Sequence, residues 1–542
     1  CHRINSEVYA VNSIAFHNSG TVNVEAGTLS IEGGGTDSGQ YAVAADATLD
    51  FGGGVIRYRG MEDVDLTLGS GNDQVTLTDD PLINADPEAN AAATFTLHTG
   101  AGHDVINITS IDAGYRASTT IVGEAGNDQI TQLVDLTLGS AISAGNLTYS
   151  AERIELAANL ATTGGFAKYA GNVTLLTDVR IDTDDTDAGV AGGTIVFTQT
   201  VDSSLAGAKN LALDAGIANI VFSAGVGVTQ PLQNLTIDEA YNLSFLGQLQ
   251  TLGNVTQTTG TGQTLFNGTA GSGIGGQLQV QTNVIDFATG DIVTAGNIDL
   301  TAANQITLAT NAGINATAAT IRFAANQDNV GNENFTQDAT ALVQTTSNAA
   351  NAVTLLVGAN GSALISDVRT GSTGGDTINV GGAIVDNSAA ETPNVTAGQA
   401  TLTAGTGIGV GGGAADFDTQ IAMLTAPANG GDIVIQEVDA LTLQGITTSG
   451  GRVQISAGGL LTIQDTTAVT NATGQVSNIP PILRIDEANP NDVILPGDPT
   501  QEISGTFGGD QLLGDNLELV RNLTFTAFWA DGVVSQVSGL NA

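Results

Sequence analysis

Short stretches in which apolar and polar side chains alternate recur along this chain at a nearly constant spacing. Between positions 193 and 287 five of these stretches end in phenylalanine, and the intervals between successive phenylalanines are nearly equal. They are Phe197, Phe222, Phe245, Phe266 and Phe287. Alternation with a period of two predicts strands that bury one face. A repeat of about 23 residues is typical of solenoids, propellers and other arrays.

A second set of strands repeats in phase with the first. The segments Asn-Leu-Ala-Leu-Asp at 210–214 and Asn-Leu-Thr-Ile-Asp at 234–238 follow one another at nearly the same interval as the phenylalanines. Two strand sets that share one period predict a β-solenoid in which each repeat is one coil, stacked about 4.8 Å from the next. The phenylalanines would then form a column inside the stack. An all-β sandwich with evenly spaced strands is the alternative.

The same kind of repeat is present near the start of the chain. Residues 21–35 align with residues 41–54, and this alignment pairs Thr28 with Thr48 and Leu29 with Leu49. Two coils are therefore expected near the beginning of the chain.

These patterns divide the chain into four segments. We expect solenoid coils with acidic turns over residues 1–156 and the main solenoid over residues 157–475. Five of the ten prolines lie between positions 480 and 499, which predicts a proline-rich linker over residues 476–500. Residues 501–542 are expected to form a small, Ig-like, β-sandwich-like module that need not be complete.

The charge of the chain narrows the choice of partners. It carries 55 acidic and 13 basic residues, a formal net charge of −42. Such a chain repels nucleic acid and anionic lipid, so no nucleic-acid partner is expected. The charge suits a soluble extracellular protein or one that gathers divalent cations. No apolar run long enough to cross a bilayer is present, which predicts no membrane-spanning segment.

The single cysteine is the first residue of the chain. Because Cys1 is the one cysteine, no intrachain disulfide is expected, and its role stays open. The chain does not begin with methionine, so we expect a processed form or a fragment.

Three acidic turns are the candidate metal sites. They share a Gly-x-Asp-x-aliphatic core, and their aspartates are Asp73, Asp104 and Asp128. The turns look like degenerate copies of the nonapeptide that binds Ca²⁺ in RTX proteins, but they are spaced like coils and do not follow one another directly. Calcium takes six to eight oxygen ligands, so binding requires these turns to stack in adjacent coils. The alternative is that the aspartates are corner residues that bond to the backbone. Ca²⁺ is the one cofactor that the sequence suggests.

Residues for catalysis are few. The four histidines, His2, His17, His98 and His103, lack the spacing of zinc ligands, and no nucleophile elbow, P-loop or dinucleotide fingerprint is present. We therefore expect a protein that is not an enzyme. Paired carboxylates of the glycosidase kind stay open because acidic residues are so numerous.

Several segments resemble proteins of known architecture. Residues 18–31, 192–197, and 211–216 with 219–222 resemble the β-strand repeats of very large bacterial surface proteins, which are similar to filamentous-haemagglutinin and autotransporter β-helix proteins. The resemblance covers most of residues 8–475 and implies a right-handed parallel β-helix, secretion, and a role in adhesion, matrix or surface filaments. The stretch Phe-Trp-Ala-Asp-Gly at 528–532 looks like part of a PKD or related Ig-like module, with Ala530 in place of glycine.

Together these patterns predict a secreted structural or adhesive protein of a bacterial cell surface or extracellular matrix. Its expected partners are further copies of itself, joined head to tail as a homopolymer, or other surface proteins and polysaccharide. The competing possibilities are a calcium-dependent surface-layer protein and a β-helical carbohydrate-active enzyme.

Overall fold

The computed structural model is an all-β, parallel solenoid in which chain segments stack as successive coils. Every regular element in the described residues is a strand. Those residues contain no helix that is long and apolar enough to cross a membrane. The described residues are 2–5, 9–11, 21–31, 40–43, 47–50, 63–68, 70–77, 94–111, 115–140, 143–184, 191–204, 208–268, 271–388, 391–409, 416–448, 453–458, 461–463, 483–486, 506–507, 510–511, 517–519, 526–528 and 534–536.

The chain forms two compact units. The first comprises residues 1–269 with 273–275, and the second comprises residues 270–272 with 276–542. Strand β29 (Ser272–Ile274) contains the division.

The strands of the first unit are, in chain order, β1 His2–Asn5, β2 Tyr9–Val11, β3 Thr21–Ile31, β4 Gln40–Val43, β5 Ala47–Asp50, β6 Asp63–Thr67, β7 Gln74–Leu77, β8 Thr94–His98, β9 Ala101–Gly102, β10 Val105–Ile108, β11 Ser118–Val122, β12 Ala125–Gly126, β13 Gln129–Gln132, β14 Leu136–Ser140, β15 Ser143–Ala144, β16 Leu147–Leu156, β17 Leu160–Thr162, β18 Ala167–Leu175, β19 Val179–Asp182, β20 Ile195–Phe197, β21 Val201–Ser203, β22 Leu211–Asp214, β23 Ile220–Phe222, β24 Leu235–Ala240, β25 Leu243–Phe245, β26 Gln250–Thr251, β27 Val255–Gly260 and β28 Gln263–Phe266.

Three parallel stacks build the first unit. One contains β6, β8, β11, the start of β16, the start of β18, β20, β23, β25 and β28. The second contains β7, β10, β13, the ends of β16 and β18, and β21. The third contains β14, β17, β19, β22, β24 and β27. The sequence predicted at least two strands per coil, and the structure has three.

The strands of the second unit are, in chain order, β30 Leu278–Thr282, β31 Val284–Phe287, β32 Ile292–Ala295, β33 Ile298–Ala302, β34 Ile306–Leu308, β35 Gly313–Ala316, β36 Ile321–Ala325, β37 Phe335–Gln337, β38 Leu342–Thr345, β39 Val353–Val357, β40 Ala363–Ile365, β41 Val368–Arg369, β42 Gly375–Val380, β43 Ala383–Asp386, β44 Val395–Ala404, β45 Gly407–Ile408, β46 Phe417–Ala428, β47 Ile433–Glu437, β48 Leu441–Thr448, β49 Val453–Ala457, β50 Leu461–Ile463, β51 Leu483–Asp486, β52 Thr506–Phe507, β53 Asp510–Gln511, β54 Leu517–Leu519, β55 Thr526–Phe528 and β56 Val534–Gln536.

The second unit repeats the three-stack plan. Its stacks begin with β30, β31 and β32, and each continues by parallel pairing to every third strand, as in β30 with β33, β31 with β34 and β32 with β35. From β42 onward the parallel pairing goes to every second strand, as in β42 with β44, β43 with β45 and β44 with β46. Near the end of the chain β54 pairs in parallel with β50, whereas β52 with β53 and β55 with β56 form antiparallel hairpins.

Stacked aromatic rings fill one side of the core in the first unit. Phe197, Phe222, Phe245 and Phe266 pair in register from strand to strand. Their ring centroids are 5.1, 5.3 and 5.3 Å apart, with interplanar angles of 4, 3 and 19°. Tyr169 extends the stack, since its ring lies 5.1 Å from that of Phe197 at an angle of 10°. The predicted phenylalanine column is therefore confirmed for these four phenylalanines as the core of the coil.

The register confirms two further predictions. Leu211 pairs with Leu235, as the corresponding positions in the two leucine-rich segments require. Thr28 pairs with Thr48 and Leu29 with Leu49 in the early repeat. Because these pairings are parallel and join consecutive repeats, the sandwich alternative is wrong for the solenoid.

Other predictions about the fold remain predictions. The right hand of the coil and the segment boundaries at 156, 475 and 500 are among them. Most of the predicted linker and of the predicted C-terminal module lies outside the described residues. The described parts of that module are the two antiparallel hairpins and β54, which pairs in parallel with β50.

A buried carboxyl group interrupts the core of the second unit. Asp376 in β42 lies in register between Val353 and Ala400, and it is 1% exposed. Neither of its carboxyl oxygens has a hydrogen-bond partner. Burial therefore raises the pKa of Asp376 well above its usual value of 3.8.

We expect the Asp376→Val substitution to raise the free energy of unfolding at pH 7 by about 1–3 kcal/mol, because an unpartnered polar group is removed from the core. Above pH 3.8 the unfolded chain releases the Asp376 proton while the folded chain keeps it, so the wild type loses stability as the pH rises. Urea unfolding should therefore show a larger gap between variant and wild type at pH 7 than at pH 4. Equal gaps at both pH values would contradict this account, and Asp65→Val, at an exposed strand position, is the control.

Candidate functional site

The three predicted aspartates lie at one corner of the first unit. Asp73, Asp104 and Asp128 each immediately precede a strand of the second stack, namely β7, β10 and β13. Those strands pair in register, with Val105 between Gln74 and Gln129. Each step in sequence from one of these aspartates to the next therefore corresponds to one coil. The structure brings the three residues together in the stacked arrangement that calcium binding requires.

Hydrogen bonds connect these carboxylates to the backbone of the neighbouring coil. The N–H of Asp73 donates to Asp104 Oδ1 at 2.7 Å, and the N–H of Asp104 donates to Asp128 Oδ1 at 2.9 Å. The N–H of Asp128 donates to Glu152 Oε2 at 2.8 Å. We call these four residues the Asp column. Bonding to the backbone is what the corner interpretation predicts, except that each carboxylate accepts the N–H of the preceding coil.

Sequence reasoning missed the fourth member of the column. Glu152 follows Asp128 at the same interval that separates Asp128 from Asp104. It has no Gly-x-Asp turn, because it lies inside the long strand β16, at the point where the register with β18 shifts. The spacing of one coil between Asp128 and Glu152 was the feature of the sequence that could have identified Glu152.

The second oxygen of each aspartate has no partner. Asp104 is 0% exposed and Asp128 is 1% exposed. The Oδ2 atoms of Asp73, Asp104 and Asp128 are buried without a hydrogen bond. Burial raises the pKa of Asp73 and of Asp128, and the charge of Asp104 adds to both increases, although the N–H of Asp104 stabilises the Asp128 carboxylate. Oxygens of this kind can hold a proton or a cation.

Glycines set the space around the column. A Cβ on Gly126 would lie 1.5 Å from the carbonyl oxygen of Gly102, so the Gly-x-Asp turn needs glycine for the close approach of neighbouring coils. A Cβ on Gly123 would lie 2.5 Å from Asp128 Oδ2. The backbone of Gly123 therefore encloses this oxygen on one side.

Calcium binding by Asp73, Asp104 and Asp128 stays a prediction.

A shallow depression lies beside the column. Its lining includes Glu124, Glu152 and Asn172. Glu152 already accepts the N–H of Asp128, and Glu124 Oε1 lies 3.0 Å from His98 Nδ1. Both carboxylates therefore have neighbours within the chain.

A second acidic column has its own cation. Asp182, Asp214 and Asp238 follow one another in the third stack, and the Arg180 guanidinium forms ion pairs with all three. Although its burial has the opposite effect, hydrogen bonds to Asp238 and Asp182 raise the pKa of Arg180. The cation that these carboxylates attract is thus part of the protein.

A further set of acids was not predicted. One carboxylate oxygen from each of Glu391, Asp416 and Asp418 lies within 4.8 Å of the others. We call these three residues the acidic cluster. Glu391 lies one coil before the two aspartates, and the three belong to no motif, so contact between them depends on loop lengths that the alternating pattern does not specify.

Comparisons with protein-family models, with curated proteins and with solved structures found no match to this chain. The resemblance to bacterial surface proteins and their β-helices therefore remains a prediction from the quoted segments. The function of the chain has to be argued from its own geometry.

Proposed function

We propose that this chain is a structural protein of a bacterial cell surface or extracellular matrix, in which the solenoid itself is the working part. The observation that supports this most is the continuous stacking in each unit. Strands pair with the coil before and the coil after, and the rings of Phe197, Phe222 and Phe245 are each covered by the next coil. Such a core provides a stiff scaffold and requires no ligand.

The same geometry supports assembly between copies. A coil in a parallel solenoid is completed by backbone pairing with its neighbour, and a strand edge without a neighbour readily pairs with another chain. We propose that copies associate head to tail through this pairing. Other surface proteins or polysaccharide are the further partners that fit an adhesive role.

The charge supports a location outside the cell. With 55 acidic and 13 basic residues, the chain repels nucleic acid and anionic membranes. A polyanionic scaffold stays soluble and attracts divalent cations, which are abundant in extracellular fluids. We therefore place the chain outside the cell, in a role without catalytic turnover.

A calcium-dependent surface-layer protein is the second candidate, and the Asp column favours it. The unpartnered Oδ2 atoms of Asp104 and Asp128 are buried in adjacent coils. A bound cation would neutralise them and link the two coils. On this candidate, chelation with EGTA lowers the melting temperature, and Asp104→Asn removes most of that sensitivity.

Light scattering tests the proposed assembly. We expect the weight-average mass of the purified chain to rise with protein concentration, because strand pairing between copies follows mass action. The same measurement in EGTA distinguishes the two candidates, since assembly through backbone pairing alone persists without calcium. A constant monomeric mass over a wide concentration range, with and without calcium, would refute head-to-tail assembly.

A further inference from the structure

The acidic cluster in the second unit lies where two coils meet. Glu391 precedes β44, and Asp416 and Asp418 lie at the beginning of β46, the strand that pairs in parallel with β44 through Val395 and Thr419. This pairing brings one carboxylate oxygen of each acid within 4.8 Å of the other two. Three negative charges at such distances repel one another strongly unless a cation or protons separate them.

Two of the three acids are buried with unpartnered oxygens. Asp418 is 2% exposed and Asp416 is 8% exposed. Asp418 Oδ2 and Asp416 Oδ1 are buried without a hydrogen-bond partner. A buried carboxylate oxygen without a donor is costly, because it has lost its water and gained nothing in return. These buried oxygens, in a cluster with Glu391, are therefore available to coordinate an ion.

No arginine, lysine or histidine side chain forms an ion pair with the acidic cluster in the part of the chain that the structure describes. The ion pairs there involve other acids: Arg180 with Asp182, Asp214 and Asp238, Arg153 with Glu155, Arg322 with Asp299, Arg369 with Asp367, and His98 with Glu124. Burial, followed by the charges of Asp416, Glu391 and Asp386, raises the pKa of Asp418 to about 7. Because its charge acts on Asp418, Asp386 at the end of β43 is a fourth carboxylate near the acidic cluster.

A buried amide holds the cluster in place. Asn394 is 0% exposed, and its Oδ1 accepts the N–H of Asp418 at 2.8 Å. Its Nδ2 donates to Asp386 Oδ1 at 2.6 Å and to the carbonyl oxygen of Ile365 at 2.9 Å. Asn394 therefore positions acids from both coils without offering them a positive charge. Side chains that orient the ligands in this way are a regular feature of metal sites.

We propose that Glu391, Asp416 and Asp418 bind one Ca²⁺ ion, with Asp386 as the adjacent carboxylate that adds to its attraction. The donors are all oxygens, which suits a hard cation and disfavours zinc or copper. Calcium accepts irregular sets of six to eight oxygens, so bidentate carboxylates and water complete the shell. The inference goes beyond the proposed structural role and does not rest on it, because a single chain binds the ion.

Equilibrium dialysis of the full chain against ⁴⁵Ca²⁺ tests the site. We expect the double variant Asp416→Asn, Asp418→Asn to bind one ion fewer per chain than the wild type. Glu391→Gln changes an exposed side chain, so we expect the variant to fold as the wild type does and to bind calcium ~10-fold or more weakly at the same site. A double variant that binds as many ions as the wild type, with unchanged affinity, would overturn the proposal.

Two controls make the result specific. The double variant Asp182→Asn, Asp214→Asn removes the same amount of charge, but beside Arg180, and it should bind as many ions as the wild type. If this variant loses an ion, binding follows the total charge of the chain, and the proposal is overturned. Thermal unfolding gives the second readout. In EGTA the Asp418→Asn variant should melt at or above the wild-type temperature, since repulsion is relieved, whereas calcium should stabilise the wild type more than the variant. Equal calcium stabilisation of both would overturn the site.

Discussion

Replacing Phe245 with alanine is expected to lower the free energy of unfolding by about 3–5 kcal/mol. The Phe245 side chain is 2% exposed, and its ring is stacked between those of Phe222 and Phe266 at centroid distances of 5.3 Å on both sides. Removal of the ring loses its transfer free energy and leaves a cavity between two coils that are fixed by backbone pairing. Urea unfolding monitored by circular dichroism measures the change.

A matched control is available in the same unit. Phe166 is 41% exposed, so Phe166→Ala should change stability by far less than Phe245→Ala. Similar losses for both variants, or a nearly neutral Phe245→Ala, would mean that the stacked rings do not form the core of the coil.

The second large effect is expected from a glycine. Gly171 in β18 lies opposite the register shift in β16, where a Cβ would lie 1.7 Å from the carbonyl oxygen of Ala151. The atom that this Cβ would meet belongs to the backbone, which cannot move aside as a flexible side chain can. We therefore expect Gly171→Ala to destabilise the chain by about 3 kcal/mol or more, measured by the same unfolding experiment.

Gly445 provides the comparison for this substitution. It also lies in a strand opposite a register shift, between Leu424 and Thr425, yet the nearest atom to a Cβ there is Thr425 Cγ2 at 3.8 Å. Gly445→Ala should be close to neutral, because the added methyl group meets ordinary van der Waals contact. If both glycine variants lose the same stability, the close approach of coils at Gly171 is not the cause.

The sequence predicted the stacked core well, for a physical reason. A side chain such as Phe222 repeats at one position of each coil because the same interior space has to be filled each time. The period therefore identifies both the coil and its inward face. The third strand of each coil escaped prediction, because strands such as β21 (Val-Asp-Ser) and β26 (Gln-Thr) share no residue that would mark a repeat.

The candidate sites were predicted less completely. Asp73, Asp104 and Asp128 were found because their turns share a pattern, and the structure places them in one column. Glu152 was missed because a strand replaces the turn at that coil. Glu391 and Asp418 were missed because contact between such side chains of adjacent coils depends on loop lengths and register, which the sequence pattern does not specify.

The stacked coils, the acidic surface and the two acidic sites fit one account of the chain. On the proposed account, the solenoid would serve as a stiff repetitive scaffold, and cations would neutralise carboxylates that the Arg180 guanidinium does not reach. Calcium would then adjust the stability of individual coils without being part of the backbone pairing that joins copies.

Electron microscopy of the native material is the most direct test of the proposed assembly. Head-to-tail pairing of coils predicts filaments whose length increases with protein concentration and which persist in EGTA. Isolated single particles at every concentration would contradict the account, and sheets that dissolve on chelation would favour the surface-layer candidate instead.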